Sequence, residues 1–141
     1  MNDSDPDGPA NFAAALAQAQ AAVAAMADEY IGWVTADLQR LDEAVAGIQP
    51  ADPTPGLKAA HGVAHDIKGQ GATFGYKLVT DIAAMLCRYL QRRAEAGSFD
   101  PDVIEAYVQS LKTVVENRVQ GDAGELGQEI LATLREVDSE A

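Results

Sequence analysis

Apolar residues recur three and four positions apart along most of the chain, the spacing of one face of an α-helix. The first strong stripe is Tyr30, Ile31, Val34, Leu38, Leu41, Val45 and Ile48, which predicts a helix from Asp28 to about Gln49. Pro50-Ala51-Asp52-Pro53-Thr54-Pro55-Gly56 interrupts it, since three prolines remove backbone donors, and Thr54 before Pro55 marks a fresh start. A second stripe, Leu57, Ala60, Ala64, Ile67, Gly71 and Phe74, predicts a helix from Pro55 to about Thr73. A third helix, Tyr76 to Ala96, carries Leu78, Val79, Ile82, Met85, Leu86, Tyr89 and Leu90 on one broad face. Gly97-Ser98-Phe99-Asp100-Pro101 closes it and opens a fourth, with Asp100 as cap, running to Gln120. After Gly121-Asp122 a shorter helix holds Leu126, Ile130, Leu134 and Val137.

Upstream, Ala10–Met26 is rich in alanine, with Phe12, Leu16, Val23 and Met26 as its large apolar side chains. Propensity predicts an additional N-terminal helix, loosely docked. Residues 1–9 combine two prolines, a glycine and three aspartates, and read as a disordered acidic tail. Short connections favour antiparallel neighbours. The expected architecture is all-α: an antiparallel up-down four-helix bundle, core at about 28–120, with the additional N-terminal helix and a short C-terminal helix in one domain over 10–141. A composition 48% hydrophobic but only 6% aromatic suits closely packed helices better than a sheet.

Charge narrows the partners. With 22 acidic and 10 basic residues the net charge is −12, which repels nucleic acid and anionic membrane surfaces, so neither is expected as a partner. No apolar run reads as the roughly 20 residues that span a bilayer, and the acidic N-terminus lacks the positive start of a signal peptide. Cys87 is the only cysteine, so no internal disulfide forms. A soluble cytoplasmic protein is the expectation. The charge is uneven: from Lys58 to Arg93 six basic residues stand against two acids, Asp66 and Asp81.

That positive segment contains both histidines, His61 and His65. At 100° per residue His65 falls about 120° from the centre of the apolar stripe, on the solvent shoulder. Its neighbours on the helix surface are His61, Gly62, Lys68, Gly69 and Ala72. Glycine costs about 0.5–1 kcal/mol relative to alanine inside a helix. For Gly62 and Gly69 the compensating use is clearance around the imidazole; Gly71, on the stripe, suits close helix packing. Neutral imidazole is a nucleophile, and phosphoryl transfer needs chiefly positioning and charge neutralisation. His65 with Lys68 one turn on supplies the acceptor half of that chemistry. Two other readings stand beside it: an ordinary surface histidine, and a metal shared by His61 and His65, four apart, with Cys87 approaching from the next helix.

The string His65-Asp66-Ile67-Lys68-Gly69-Gln70-Gly71-Ala72-Thr73-Phe74-Gly75-Tyr76 resembles the signature of histidine-containing phosphotransfer (Hpt) domains, a His-x-x-Lys-Gly motif followed by small residues and a glycine before the next helix. The resemblance covers roughly Leu57 to Leu90. It implies a phosphocarrier that shuttles a phosphoryl group between aspartates of receiver domains, those of hybrid histidine kinases and of response regulators, without kinase machinery of its own. His65 would be phosphorylated through Nε2, Lys68 would steady the phosphoryl group, and Gly69 would leave room for the receiver. Gly62, Gly69, Ala72, Tyr76 and Arg88 would form the docking surface, with Lys77 at its border. The chain itself would need no cofactor or metal, since magnesium would sit on the receiver, and it would act as a monomer. One position departs from the family: Cys87 falls where many members carry a glutamine that orients the histidine, leaving Arg88 or Gln91 as substitutes. The competing class is a non-catalytic helical interaction module using the same surface.

Overall fold

A computed structural model describes residues 8–140. It contains five α-helices: α1 (Pro9–Ala46), α2 (Thr54–Gly71), α3 (Lys77–Ala96), α4 (Pro101–Glu116) and α5 (Gly124–Glu140), with a 3-10 turn, Ala72–Phe74, between α2 and α3. No strand occurs among the described residues. The expected tail lies outside them up to residue 7; Gly8 is the N-cap of α1 and Pro9 its first residue.

The additional N-terminal helix does not exist as a separate element. It is continuous with the first bundle helix, giving one α1 of 38 residues. Nothing between Pro9 and Gly32 breaks a helix, and a thinning of large side chains around Ala27 is not a chain break. A Cβ at Gly32 would meet nothing within 4 Å, so that glycine marks no close approach either. By length and composition α1 would also suffice to cross a membrane, with its most apolar window near the N-terminus and unburied; alanines accumulate where no run of large apolar residues does. The C-terminal helix, expected to be short, has 17 residues against 16 in α4.

α1 packs against α2 and α4, α3 packs against the same two, and α5 lies on α3 and α4. The core takes Tyr30, Val34, Leu38 and Leu41 from α1, Leu57, Ala60, Val63, Ala64 and Ile67 from α2, the predicted apolar face of α3, and Ile104, Tyr107, Val108, Leu111, Val114 and Val115 from α4. Thr54 Oγ1 donates to the Ala94 carbonyl at 3.1 Å, tying the start of α2 to the end of α3. Asp100 caps α4 as expected, its carboxylate accepting from the Asp102 amide at 2.9 Å. Asp138 holds α5 in place: it accepts from the Tyr107 hydroxyl at 2.7 Å and pairs with Arg92 at 2.7 Å. Burial, with the Asp138 carboxylate beside it, raises the Tyr107 hydroxyl above its usual range.

Candidate functional site

The site is built on the last three turns of α2, and its position is fixed from the buried side. Gly71 lies where α3 comes closest. A Cβ there would meet Thr80 Oγ1 at 2.5 Å and the Tyr76 carbonyl oxygen at 2.9 Å, so no larger residue fits without displacing backbone. Thr80 uses that proximity. Its hydroxyl donates to the Lys68 carbonyl at 2.9 Å and accepts from the Ala72 amide at 2.7 Å, which closes the C-terminal turn of α2 onto α3. The chain then reverses at Gly75, whose φ of +87° belongs to the left-handed region that glycine enters freely. Gly75 is gripped in turn by the α4–α5 loop, where the Gly121 amide donates to its carbonyl at 2.6 Å.

The opposite face of α2 is open. His65 is exposed, and among the described residues no side chain hydrogen-bonds its imidazole; the His61 ring stands 6.3 Å away, centroid to centroid. A Cβ at Gly62 or Gly69 would meet nothing within 4 Å, so both glycines leave the space around the ring clear. Ala72 and Arg88 are exposed as expected. Lys68 is half-buried, and no carboxylate among the described residues pairs with it. Asp66, next to His65, turns toward α1, with Arg40 3.8 Å from its carboxylate.

Cys87 lies beneath this surface. It is buried, and burial raises its thiol above the usual range, while the nearby Lys68 and Arg88 charges oppose that shift. The thiol therefore sits within electrostatic reach of both cations, one from α2 and one from α3. Gln91, considered as a partner for His65, lines instead a groove of about 370 Å³ with Lys58, His61 and Glu95. Among the described residues neither Gln91 nor Arg88 hydrogen-bonds the imidazole. Among the described residues no three His, Cys, Asp or Glu side chains are grouped to hold a metal.

Tyr76 is the sequence-predicted docking residue that the structure contradicts. It is 1% exposed, its ring 5.1 Å from Tyr30 in an aromatic cluster with Phe74 and Trp33. As the N-cap of α3 it faces inward, since the 3-10 turn swings the chain back over the bundle end. Its neighbour Lys77 is exposed but held by Asp81 at 2.9 Å.

The sequence reading missed Thr80 and the depth of Val63. The signal for Thr80 was present: a glycine on the apolar stripe of α2 opposite a small polar residue in the first turn of α3.

The family model for the Hpt domain matches residues 25–137, most of the chain and all of the site just described. The chain belongs to the Hpt family. Membership brings a phosphotransfer role in a phosphorelay, and Hpt domains are phosphocarrier modules that interact with receiver domains. No curated protein and no solved structure matches the chain. The match begins at residue 25, so the N-terminal half of α1 lies outside what the Hpt family accounts for.

Proposed function

We propose that His65 is the phosphoacceptor, taking a phosphoryl group from the aspartyl phosphate of one receiver domain and passing it to the aspartate of another. One observation carries this reading: an exposed imidazole that no side chain among the described residues hydrogen-bonds, flanked by two glycines whose Cβ positions meet nothing, on a helix pinned from behind by Thr80. In-line transfer requires the donor phosphorus to come close to the nucleophilic nitrogen, and any larger residue at 62 or 69 would stand in the receiver's path.

The Nε2 lone pair forms the N–P bond as the aspartyl O–P bond breaks, and the aspartate leaves as a carboxylate. Return transfer to the second receiver reverses both changes. Lys68, one turn along and paired with no carboxylate among the described residues, brings a cation to the phosphoryl oxygens. Magnesium belongs to the receiver's own acidic residues, and the chain acts as carrier and not as kinase. Helices α1 to α4 form the antiparallel four-helix unit that holds this surface rigid.

The test is to incubate the protein with a phosphorylated receiver and follow the label. Wild type should acquire acid-labile, base-stable phosphate, and His65→Gln should acquire none at equal stability. Equal labelling of the variant would remove His65 from the mechanism, and absence of label from wild type as well would leave the non-catalytic interaction module. Lys68→Ala should transfer more slowly with its fold intact.

A further inference from the structure

The apolar face of α1 that enters the core does not stop where the bundle stops. At 100° per residue Phe12, Leu16, Ala19, Val23 and Met26 lie on the same side of the helix as Tyr30, Val34 and Leu41. The latter three are buried by the bundle, whereas Phe12 is 70% exposed, Leu16 47%, Val23 66% and Met26 53%. The spacing of 4-3-4-3 is that of a helix-pairing seam. Where the overhang leaves the bundle, its base and the 3-10 turn enclose a groove of about 700 Å³, lined by Val23, Met26, Thr73 and Phe74 among others.

We propose that residues 9–27 pair antiparallel with the same segment of a second copy, centred on Ala19. The order of side-chain sizes supports this arrangement. About Ala19 the seam is nearly palindromic: Phe12 stands seven residues before it and Met26 seven after, Leu16 three before and Val23 four after. An antiparallel pair with its twofold at Ala19 therefore sets Phe12 against Met26 and Leu16 against Val23, with the smallest side chain where the helices cross, a self-complementary contact of the kind a twofold dimer needs. Each Phe12 then arrives at the mouth of the other copy's groove.

Charge points the same way. No residue between Asp7 and Asp28 is charged, so this is the stretch where two copies of a chain of net charge −12 can approach without carboxylates facing each other. The four exposed side chains offer on the order of 400 Å² per copy, and the intervening alanines and the groove bring a pair to roughly the 1,200 Å² at which specific interfaces begin. A bilayer is the less fitting occupant. The large apolar residues lie on one face, while Asn11 and Gln18 lie off it, and a spanning helix meets lipid all round. This departs from the monomer expected from sequence and does not depend on the role of His65.

Sedimentation equilibrium of the full chain tests it. Wild type should show a concentration-dependent monomer–dimer equilibrium, and Ala19→Glu should weaken it at least tenfold with an unchanged far-UV spectrum, since Ala19 is exposed and Glu is a good helix former. In a Cys87→Ala background, Ala19→Cys should oxidise to a disulfide dimer. Phe12→Cys should not, because an antiparallel pair places the two copies of that residue roughly 21 Å apart along the axis. Efficient crosslinking of Phe12→Cys would overturn the antiparallel register. Monomer at every concentration would overturn the proposal, and so would a monomer that floats with phosphatidylcholine vesicles, which would assign the overhang to a membrane.

Discussion

Helix α2 carries the same residue type to opposite ends on its two faces. Gly62 and Gly69 are open to solvent, and a Cβ at either would meet nothing from the rest of the fold within 4 Å, while one at Gly71, two residues after Gly69, would meet the next helix at 2.5 Å. The first pair leaves space for something outside the molecule; the last closes space inside it. A glycine's role is therefore set by its azimuth on the helix, and the two kinds should respond to substitution with opposite signs.

The sharpest way to break that contrast is Gly71→Ala. The added methyl group has no flexible neighbour to push aside, because Thr80 is held by two hydrogen bonds and the Tyr76 carbonyl is backbone. Overpacking should cost about 1–3 kcal/mol, with roughly 1 kcal/mol more for each Thr80 bond lost. Urea denaturation should show the midpoint falling with the m-value unchanged. A variant as stable as wild type would mean that α2 and α3 do not approach as closely as described.

Thr80→Val separates the hydrogen bonds from the packing. It keeps the shape but leaves the Ala72 amide and the Lys68 carbonyl without their side-chain partner, an expected loss of about 1–2 kcal/mol. Thr80→Ser should recover most of it. If the turn also positions the site, transfer to Thr80→Val should slow in conditions where the protein remains fully folded, and Thr80→Ser should transfer as wild type does.

Gly69→Ala reverses the sign. In an open helical position alanine should raise stability by about 0.5–1 kcal/mol. Gly69→Leu should also fold well, yet its side chain would stand beside His65 and obstruct a docking receiver. Stability and phosphotransfer rate should therefore move in opposite directions along Gly, Ala, Leu. A rate that is flat across the series would show that the clearance has no use.

How much of this was legible in the sequence depended on whether a property is local. The stripes of α1, α2 and α3 and the exposed shoulder of His65 follow from spacing along a single helix, and the Asp100 cap from residue type, and these are found as expected; in α5 the stripe is shifted, Leu126 being 54% exposed and Leu131 buried. The continuity of α1 was missed because alanine-rich turns carry little hydrophobic signal, although nothing in them stops a helix. Tyr76 and Thr80 were misjudged or unseen for another reason. Both lie where the chain reverses, so their surroundings are supplied by α1, α2 and the α4–α5 loop, and no periodicity within α3 reports them. The surroundings of His65 belong to the same class: Cys87 could be placed under the site by alignment to the motif, but only the packed helices show that no side chain of α3 hydrogen-bonds the imidazole among the described residues.

Tyr76→Phe is the smallest expected effect and separates the docking role from the core role. Among the described residues the buried Tyr76 hydroxyl has no hydrogen-bond partner, nor has that of Tyr30 beside it. Removing an unpartnered buried hydroxyl deletes a desolvation penalty and keeps the ring, so stability should change by no more than about 0.5 kcal/mol, or rise by that amount. Tyr76→Ala, by contrast, would empty the aromatic cluster and should cost about 3–5 kcal/mol. A residue that touched the receiver would behave differently, because the loss of its hydroxyl would appear in transfer and not in folding. Thermal unfolding and receiver-to-protein transfer measured on the same Tyr76→Phe sample distinguish the two: an unchanged rate with an unchanged or raised midpoint puts Tyr76 in the core that supports α3, and a slowed rate at full stability would return it to the surface on which the receiver lands.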